Sequence, residues 1–345
     1  MNDLKSMTYD EILQMCLSLG LQKFRAKQIY GWMCKGVDSF DEISNIPKAD
    51  KEKLQQSCYI SNVAIEQKFC SKLDETVKYL YRLNDGEYIE SVVMKYKHGR
   101  SVCVSTQVGC LMGCKFCAST LNGKKRDLTA GEILSQVFTA QRDIGERISN
   151  IVLMGMGEPL DNFDNVMRFL QLVSSEDGLN IGMRHISLST CGLVDKIDEL
   201  ADERLQLTLS VSLHAPNDEI RDKIMPINHK YKINELIAAC KRYIDKTGRR
   251  ISFEYALIAG VNDSDECAVQ LAHLLHGMIC HINLIPANPV KERGFTMPDK
   301  ANVYRFEQKL LSLGMNATVR RTLGADIAAS CGQLRAKHEQ GINGK

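Results

Sequence analysis

The sequence predicts an α/β fold: a parallel sheet of repeated strand–loop–helix units, preceded by a small helical domain and a β-hairpin. Three observations carry that expectation. Strand-length apolar runs recur after residue 100 with helix-length stretches between them, the pattern of a parallel sheet. Residues 1–60 show helical spacing of apolar positions instead. Between the two regions, VKYLYRL and YIESVVMKY flank an Asp85-Gly86 turn signal, which reads as a hairpin over 77–96.

Taken in order, Thr8 and Glu11 have the capping-box spacing, and Ile12, Leu13, Cys16 and Leu17 follow at helical intervals. Gly20 closes that helix, and 21–35 reads as a second one, basic on one side. The period changes from Val63. On the second hairpin strand Tyr88, Glu90, Val92 and Met94 share one face, and spacing alone reads Glu90 as an edge-strand charge at the rim. Candidate strands then fall at 102–106, 150–155, 185–190, 206–213, 251–258 and 280–286. A second capping box, Thr129 to Glu132, opens the first helix between them. About six such units are too few to close an eight-fold barrel, so the sheet is either barrel-like and partial or doubly wound. No G-x-G-x-x-G follows the first strand, which disfavours a dinucleotide fold.

The chain has 345 residues, 44% apolar and 25% charged, an ordinary globular composition with room for more than one domain. Its start, MNDLKSMTYDEILQ, lacks the apolar core of a signal peptide, and no uncharged run of about 18 residues appears. The expectation is a cytoplasmic protein with no membrane span. Thirteen cysteines in that setting point to reduced thiols, metal ligation or redox chemistry rather than structural disulfides. A net charge of +2 does not advertise nucleic-acid binding, and the basic clusters at 23–27, 95–100, 123–126 and 241–250 read by themselves as solvated surface.

Parallel sheets place function at the C-terminal ends of their strands. Here those ends give the cysteine loop after the first strand, then GMGEP (Gly155 to Pro159), Ser189-Thr190, Ser212-Leu213-His214 and Asn288. A glycine turn with a carboxylate, hydroxyls, an imidazole and an amide on one rim suits a polar, charged small molecule. In SVCVSTQVGCLMGCKFCAST, Cys110, Cys114 and Cys117 are spaced C-x3-C-x2-C, and Cys103 stands outside the set. Three thiolates on one loop bind zinc or an iron–sulfur cluster. Structural zinc favours a second knuckle, and none follows. A cubane with three cysteine ligands leaves one iron open to a bound molecule. By spacing, Cys103 reads as a core cysteine, and so do those at 16, 34, 58, 70, 191, 240, 267 and 280, although Cys191 abuts Ser189-Thr190.

The C-x3-C-x2-C loop with Phe116, followed by GMGEP, resembles the radical S-adenosylmethionine (SAM) superfamily. CVSTQVGCLMGCKFCAST, MGMGEPLDN, SVSLHAPND, LIPANPV and DIAASCGQL together resemble the RlmN family of RNA adenine C2-methyltransferases over most of the chain. Pro159 matches that family rather than its C8-methylating relative, Cfr, in which the segment reads GMGEA. The resemblance implies a partial (β/α)6-type radical SAM barrel over 96–326, an RNA-binding helical domain over 1–60, a hairpin over 61–95 and a C-terminal segment over 327–345. It implies a [4Fe-4S] cluster on Cys110, Cys114 and Cys117, and SAM held by Gly157, Glu158, Ser189, Ser212, Leu213, His214 and Asn288. Two SAM molecules are used per turnover.

Adenine C2 is an electron-poor carbon that polar methyl transfer does not reach. The resemblance implies that a methyl is first placed on Cys331, in SCGQL, and then converted by radical chemistry into a methylene that adds to C2. Glu90 takes the C2 proton, and Cys103 attacks Cys331 to release the product, leaving a disulfide. The implied substrates are an adenosine at the peptidyl-transferase centre of 23S rRNA and the adenosine 3′ to the tRNA anticodon. An external, flavodoxin-like one-electron donor and a disulfide reductant are the other partners, and the protein is a monomer. The competing readings are C8 methylation, a non-enzymatic iron–sulfur or zinc module, and radical chemistry on a small molecule.

Overall fold

Residues 1–60 close around their own apolar centre. Strand β1 (Asn2–Asp3), helices α1 (Tyr9–Ser18), α2 (Phe24–Met33) and α3 (Lys48–Ser57), and strand β2 (Cys58–Tyr59) enclose fully buried Leu4, Ile12, Ile29, Ile43 and Leu54. The Thr8 box forms: its N–H donates to Glu11 Oε2 at 2.7 Å, and the Glu11 N–H donates to Thr8 Oγ1 at 3.4 Å. Parallel pairing of β1 with β2 joins the two ends of this unit. Lys5 ties it to the rest of the protein, its buried ammonium donating at 3.0 Å to Asp38 and to Ser135. A computed structural model describes residues 1–287, 294–327 and 329.

Strands β3 (Val63–Cys70), β4 (Val77–Leu83), β5 (Tyr88–Tyr96) and β6 (Gly99–Cys103) pair antiparallel as a meander. The expected hairpin is therefore its middle. Strand β3 escapes sequence reading because it is an edge strand exposed at nearly every position, with no apolar alternation. Cys70 at its end is exposed, which corrects the packing role expected for it. β7 (Gln107–Gly109) and β8 (Lys124–Asp127) form a separate ribbon whose connecting loop carries the three spaced cysteines.

From β6 the sheet continues in parallel through β9 (Ile148–Leu153), β10 (Ile186–Thr190), β11 (Thr208–Ser212), β12 (Ile251–Leu257), β13 (Cys280–Pro286) and β14 (Ala317–Val319). The crossovers hold α4 (Ala130–Ile144), α5 (Phe163–Val173), α6 (Val194–Asp202), α7 (Asp218–Ile224) with α8 (Ile233–Thr247), α9 (Asp265–Leu275) and α10 (Lys300–Ser312). Spatial order follows chain order without a reversal. Crossovers of one hand then put the helices on one face, and the twisted sheet curls into an open, partial barrel. This decides between the two architectures left open by the sequence: a doubly wound sheet needs a switch point, and this order has none.

Towards the helices the strands send Leu188, Leu209, Val211, Phe253, Ile282 and Leu284, all fully buried in the main core. The alternate positions face the lumen and are small or polar: Ser187, Ser189, Ser210, Ser212, Glu254 and Asn283. Ser187 and Ser210 hydroxyls lie 3.1 Å apart, and Asn283 Nδ2 donates to Glu254 Oε2 at 2.6 Å. Closed (β/α)8 barrels fill this face with branched apolar side chains. Here the lumen is left as binding space.

Candidate active site

A cavity of about 270 Å³ lies over the C-terminal ends of the parallel strands. Cys110, Cys114 and Cys117 all line it, so the structure brings the spaced cysteines together. Burial pushes the Cys110 thiol up to about 12, with Cys117 adding repulsion; burial, then Cys117 and Cys110, raise Cys114 further still. Three thiolates cannot share this wall without a counter-charge, and bound iron would supply one. Among the described residues no three His, Cys, Asp or Glu side chains converge on a single-ion site. Three sulfur donors on one cavity wall fit an iron–sulfur cluster by ligand type.

The GMGEP turn closes the next wall. A Cβ on Gly155 would lie 2.6 Å from the Val104 carbonyl, and one on Gly157, where φ is +103°, 2.6 Å from Gln107. Both positions therefore require glycine. Glu158 is buried, and desolvation raises its pKa against the pull of its donors. Its Oε1 accepts from the Leu160 N–H at 3.0 Å and its Oε2 from the Cys191 N–H at 2.7 Å, which couples the turns after β9 and β10. The Cys191 and Thr190 side chains add to these donors, so Glu158 is held firmly at the edge of the cavity it lines. Cys191 packs in a small buried apolar cluster, as expected, and also lines the same cavity beside Glu158.

Ser189, Ser212 and His214 line the cavity as expected. Leu213 does not: its side chain is in the main core, and its backbone N–H donates to the Glu254 carbonyl at 3.1 Å. Asn288 lies outside the described residues. His214 sits at φ +56° and its Nδ1 accepts from the Ala256 N–H at 2.8 Å, which places the ring proton on Nε2. Burial pushes its pKa down to about 3, so the ring is neutral at physiological pH. Phe116 packs edge-on against it at 4.9 Å, linking the cysteine loop to β11. Sequence reading missed Arg221, a fully buried guanidinium that donates to the carbonyls of Cys191 (2.7 Å), Ser212 (3.2 Å) and Leu213 (3.1 Å). It clamps two strand ends, and a lone arginine on a short helix gives no sequence signal for that.

A second group lies on the lumen face of the meander. Strand β5 is interior, so Glu90 is not the rim charge its spacing suggested: it is 3% exposed and its Oε2 lies 3.6 Å from the buried Lys78 ammonium. Lys78 was invisible to sequence reading because it looks like any strand lysine. Val92 pairs with Cys103 across β5 and β6, and both pack with Met94 in a small buried cluster. Met154, which lines the cofactor cavity, also packs on that cluster, as do Leu323 and Ala329 from the C-terminal segment. This segment is tethered to the β3–β4 turn: Ser71 Oγ and the Lys72 N–H donate to Asp326 at 2.6 and 2.7 Å, and the Gly324 N–H to Asp74 at 2.9 Å. Cys331 lies outside the described residues, two positions beyond Ala329 in sequence.

Residues 104–272 match the profile of the Radical SAM superfamily. A crystal structure of a radical SAM methyltransferase from Sphaerobacter thermophilus superposes with a TM-score of 0.92, at 44% identity over 96% of this chain and 99% of that one. The barrel and its cysteine loop are thus of the radical SAM class. Residues 2–60 match the ribosomal RNA large subunit methyltransferase N-terminal domain. Proteins named probable dual-specificity RNA methyltransferase RlmN are 54% identical in Lachnospira eligens, over 99% of this chain and 98% of that one, and 55% identical in Alkaliphilus oremlandii, over 98% of both. The chain belongs to the RlmN family of radical SAM RNA methyltransferases. Among the described residues no helix is long and apolar enough to cross a membrane.

Proposed function

We propose that this enzyme methylates C2 of adenosine, at the peptidyl-transferase centre of 23S rRNA and 3′ to the tRNA anticodon, through a methyl carried on Cys331. The observation that carries the reading is the shared lumen face of Glu90 and Cys103. Met154 borders it on the cofactor side, and the segment leading to Cys331 packs on it. A base, a thiol and a route for a second thiol are what C2 methylation through a protein-bound methyl requires. The dual-specificity name of the relatives supports two RNA substrates.

A [4Fe-4S] cluster would be held by Cys110, Cys114 and Cys117 and would supply one-electron chemistry to bound SAM. Glu158 and Ser189 bind the polar parts of SAM, and neutral His214 offers an Nε2–H donor. Cys331 accepts the methyl as a thiolate. Glu90 accepts the C2 proton of the RNA adduct, and Lys78 supplies the opposite charge that a buried carboxylate needs. Cys103, as a thiolate, then attacks the Cys331 sulfur: an S–S bond forms as the C–S bond breaks, and its electron pair leaves with the adenine-bound carbon, which takes a proton from solvent to become the C2 methyl. An external flavodoxin-like donor and a disulfide reductant complete a cycle that uses two SAM molecules, in a cytoplasmic monomer.

The test is an anaerobic assay on reconstituted protein with SAM, reductant and either a 23S rRNA fragment or a tRNA, read by mass spectrometry of the digested nucleosides. 2-Methyladenosine is expected, and Cys331→Ala abolishes it. 8-Methyladenosine would overturn the C2 assignment.

A further inference from the structure

A second cavity, also about 270 Å³, lies at the opposite end of the barrel, where Asn150, Ser187 and Thr208 mark the early parts of β9, β10 and β11. Arg320 lines both cavities, so the two meet at that side chain within the lumen. Met94 and Val152 line the second cavity and also pack in the Cys103 cluster, which sets the cavity beside the thiol that releases product.

The chemistry of its wall differs from that of the cofactor site. Glu158 and Glu254 line the first cavity, whereas among the described residues no carboxylate lines the second. Its charged groups are Arg184 and Arg320, with the imidazoles of His98 and His185. Arg184 makes no ion pair among the described residues, and Arg320 faces the Glu254 carboxylate from the lumen side. The rings of Tyr96 and His98 are stacked, 5.3 Å between centroids and 7° from parallel, presenting a flat aromatic platform. An arginine with no ion pair among the described residues and a second arginine opposed by a single carboxylate, beside a flat ring surface, suit an anion joined to a planar base, which is a nucleotide.

Resting on the RNA substrate proposed above, we propose that this cavity seats a nucleotide flanking the target adenosine. Its base stacks on the Tyr96–His98 pair and its phosphate lies between Arg184 and Arg320. RNA then enters from the end of the barrel opposite the cofactor, and the target base reaches the Cys103 face through the polar lumen.

The test uses full-length reconstituted protein and two fluorescein-labelled RNA hairpins, one from 23S rRNA and one a tRNA anticodon arm. Binding is followed by anisotropy across a salt series. His98→Ala with Tyr96→Ala is expected to weaken hairpin binding about tenfold, from the loss of one stacked base. Tyr96→Phe keeps the ring and retains affinity. Arg184→Gln lowers the slope of log affinity against log salt by about one. SAM binding, measured by equilibrium dialysis, stays at the wild-type value in every variant. Hairpin affinities within about twofold of a wild type that binds and methylates the same RNA overturn this site alone. Loss of SAM binding alongside RNA binding also overturns it, since the residues would then be structural. A wild type that neither binds nor methylates either hairpin removes the RNA reading, and this site with it.

Discussion

The cofactor end of the lumen and the Glu90–Cys103 face are built on different principles. At the cofactor end each functional group is fixed by backbone near it: Glu158 by two N–H donors, His214 by the Ala256 N–H, the glycine turn by the close approach of Gln107. The meander face instead joins β4, β5, β6 and the C-terminal segment, and its key contact is a buried ion pair, Glu90 with Lys78. The first is a preformed cradle for one small molecule. The second assembles the charge and sulfur that change state in the proposed reaction. The lesson is that rigidity and reactivity are placed on separate walls of one lumen.

The largest test of this division separates two cysteines of the same cavity. Cys114→Ala should drop iron content and 2-methyladenosine to background, while Cys191→Ala retains iron; equal losses of iron in both would erase the distinction between ligand and neighbour. Next, Glu90→Gln should slow product formation by about 10²–10⁴-fold, the usual weight of a general base, and protein–RNA adduct should accumulate on denaturing gels. Lys78→Met removes one partner of the buried Glu90 carboxylate, so urea unfolding should show a loss of up to about 3–5 kcal/mol. Stability unchanged by that substitution would mean the pair is not the element that holds the face.

On the cradle side, Gly157→Ala forces a Cβ to 2.6 Å from Gln107 at φ +103°. SAM affinity by dialysis should fall about tenfold or more, since strain of this kind costs about 1–3 kcal/mol. The smallest effect concerns pH. His214 has a folded pKa of about 3, below its ordinary 6.5, so the unfolded chain binds more protons between those values. Its contribution to stability is present above pH 6.5 and is lost as pH falls towards 3, with a slope of at most about 1.4 kcal/mol per pH unit. Urea midpoints from pH 7 to 5 should show that slope, and His214→Phe should flatten it.

The cradle was the more legible region because its parts follow strands at short range. Cys110, Cys114, Cys117, Gly157, Glu158, Ser189, Ser212 and His214 could all be read as strand-end residues, and all line one cavity. Leu213 lies among them in sequence but turns into the core, since adjacent residues at a strand end face opposite sides. Spacing alone misread Glu90, because whether a strand lies at an edge depends on partners far away in sequence; family resemblance marked it and no local pattern did. Lys78 and Arg221 carry no pattern at all. Strand β14 is three residues long, and the ribbon of β7 and β8 is interrupted by the cysteine loop, so neither offers a period to read.

The tether of the C-terminal segment has a consequence for how the molecule is made. Asp326 and Ser71 are 255 positions apart, whereas each parallel strand joins one already synthesised before it. On the ribosome the scaffold can therefore grow strand by strand as it emerges, and the closing of this longest loop comes last. The newborn protein is a finished container before it is an equipped catalyst. The Glu90–Cys103 wall is covered only after the whole parallel sheet has been made.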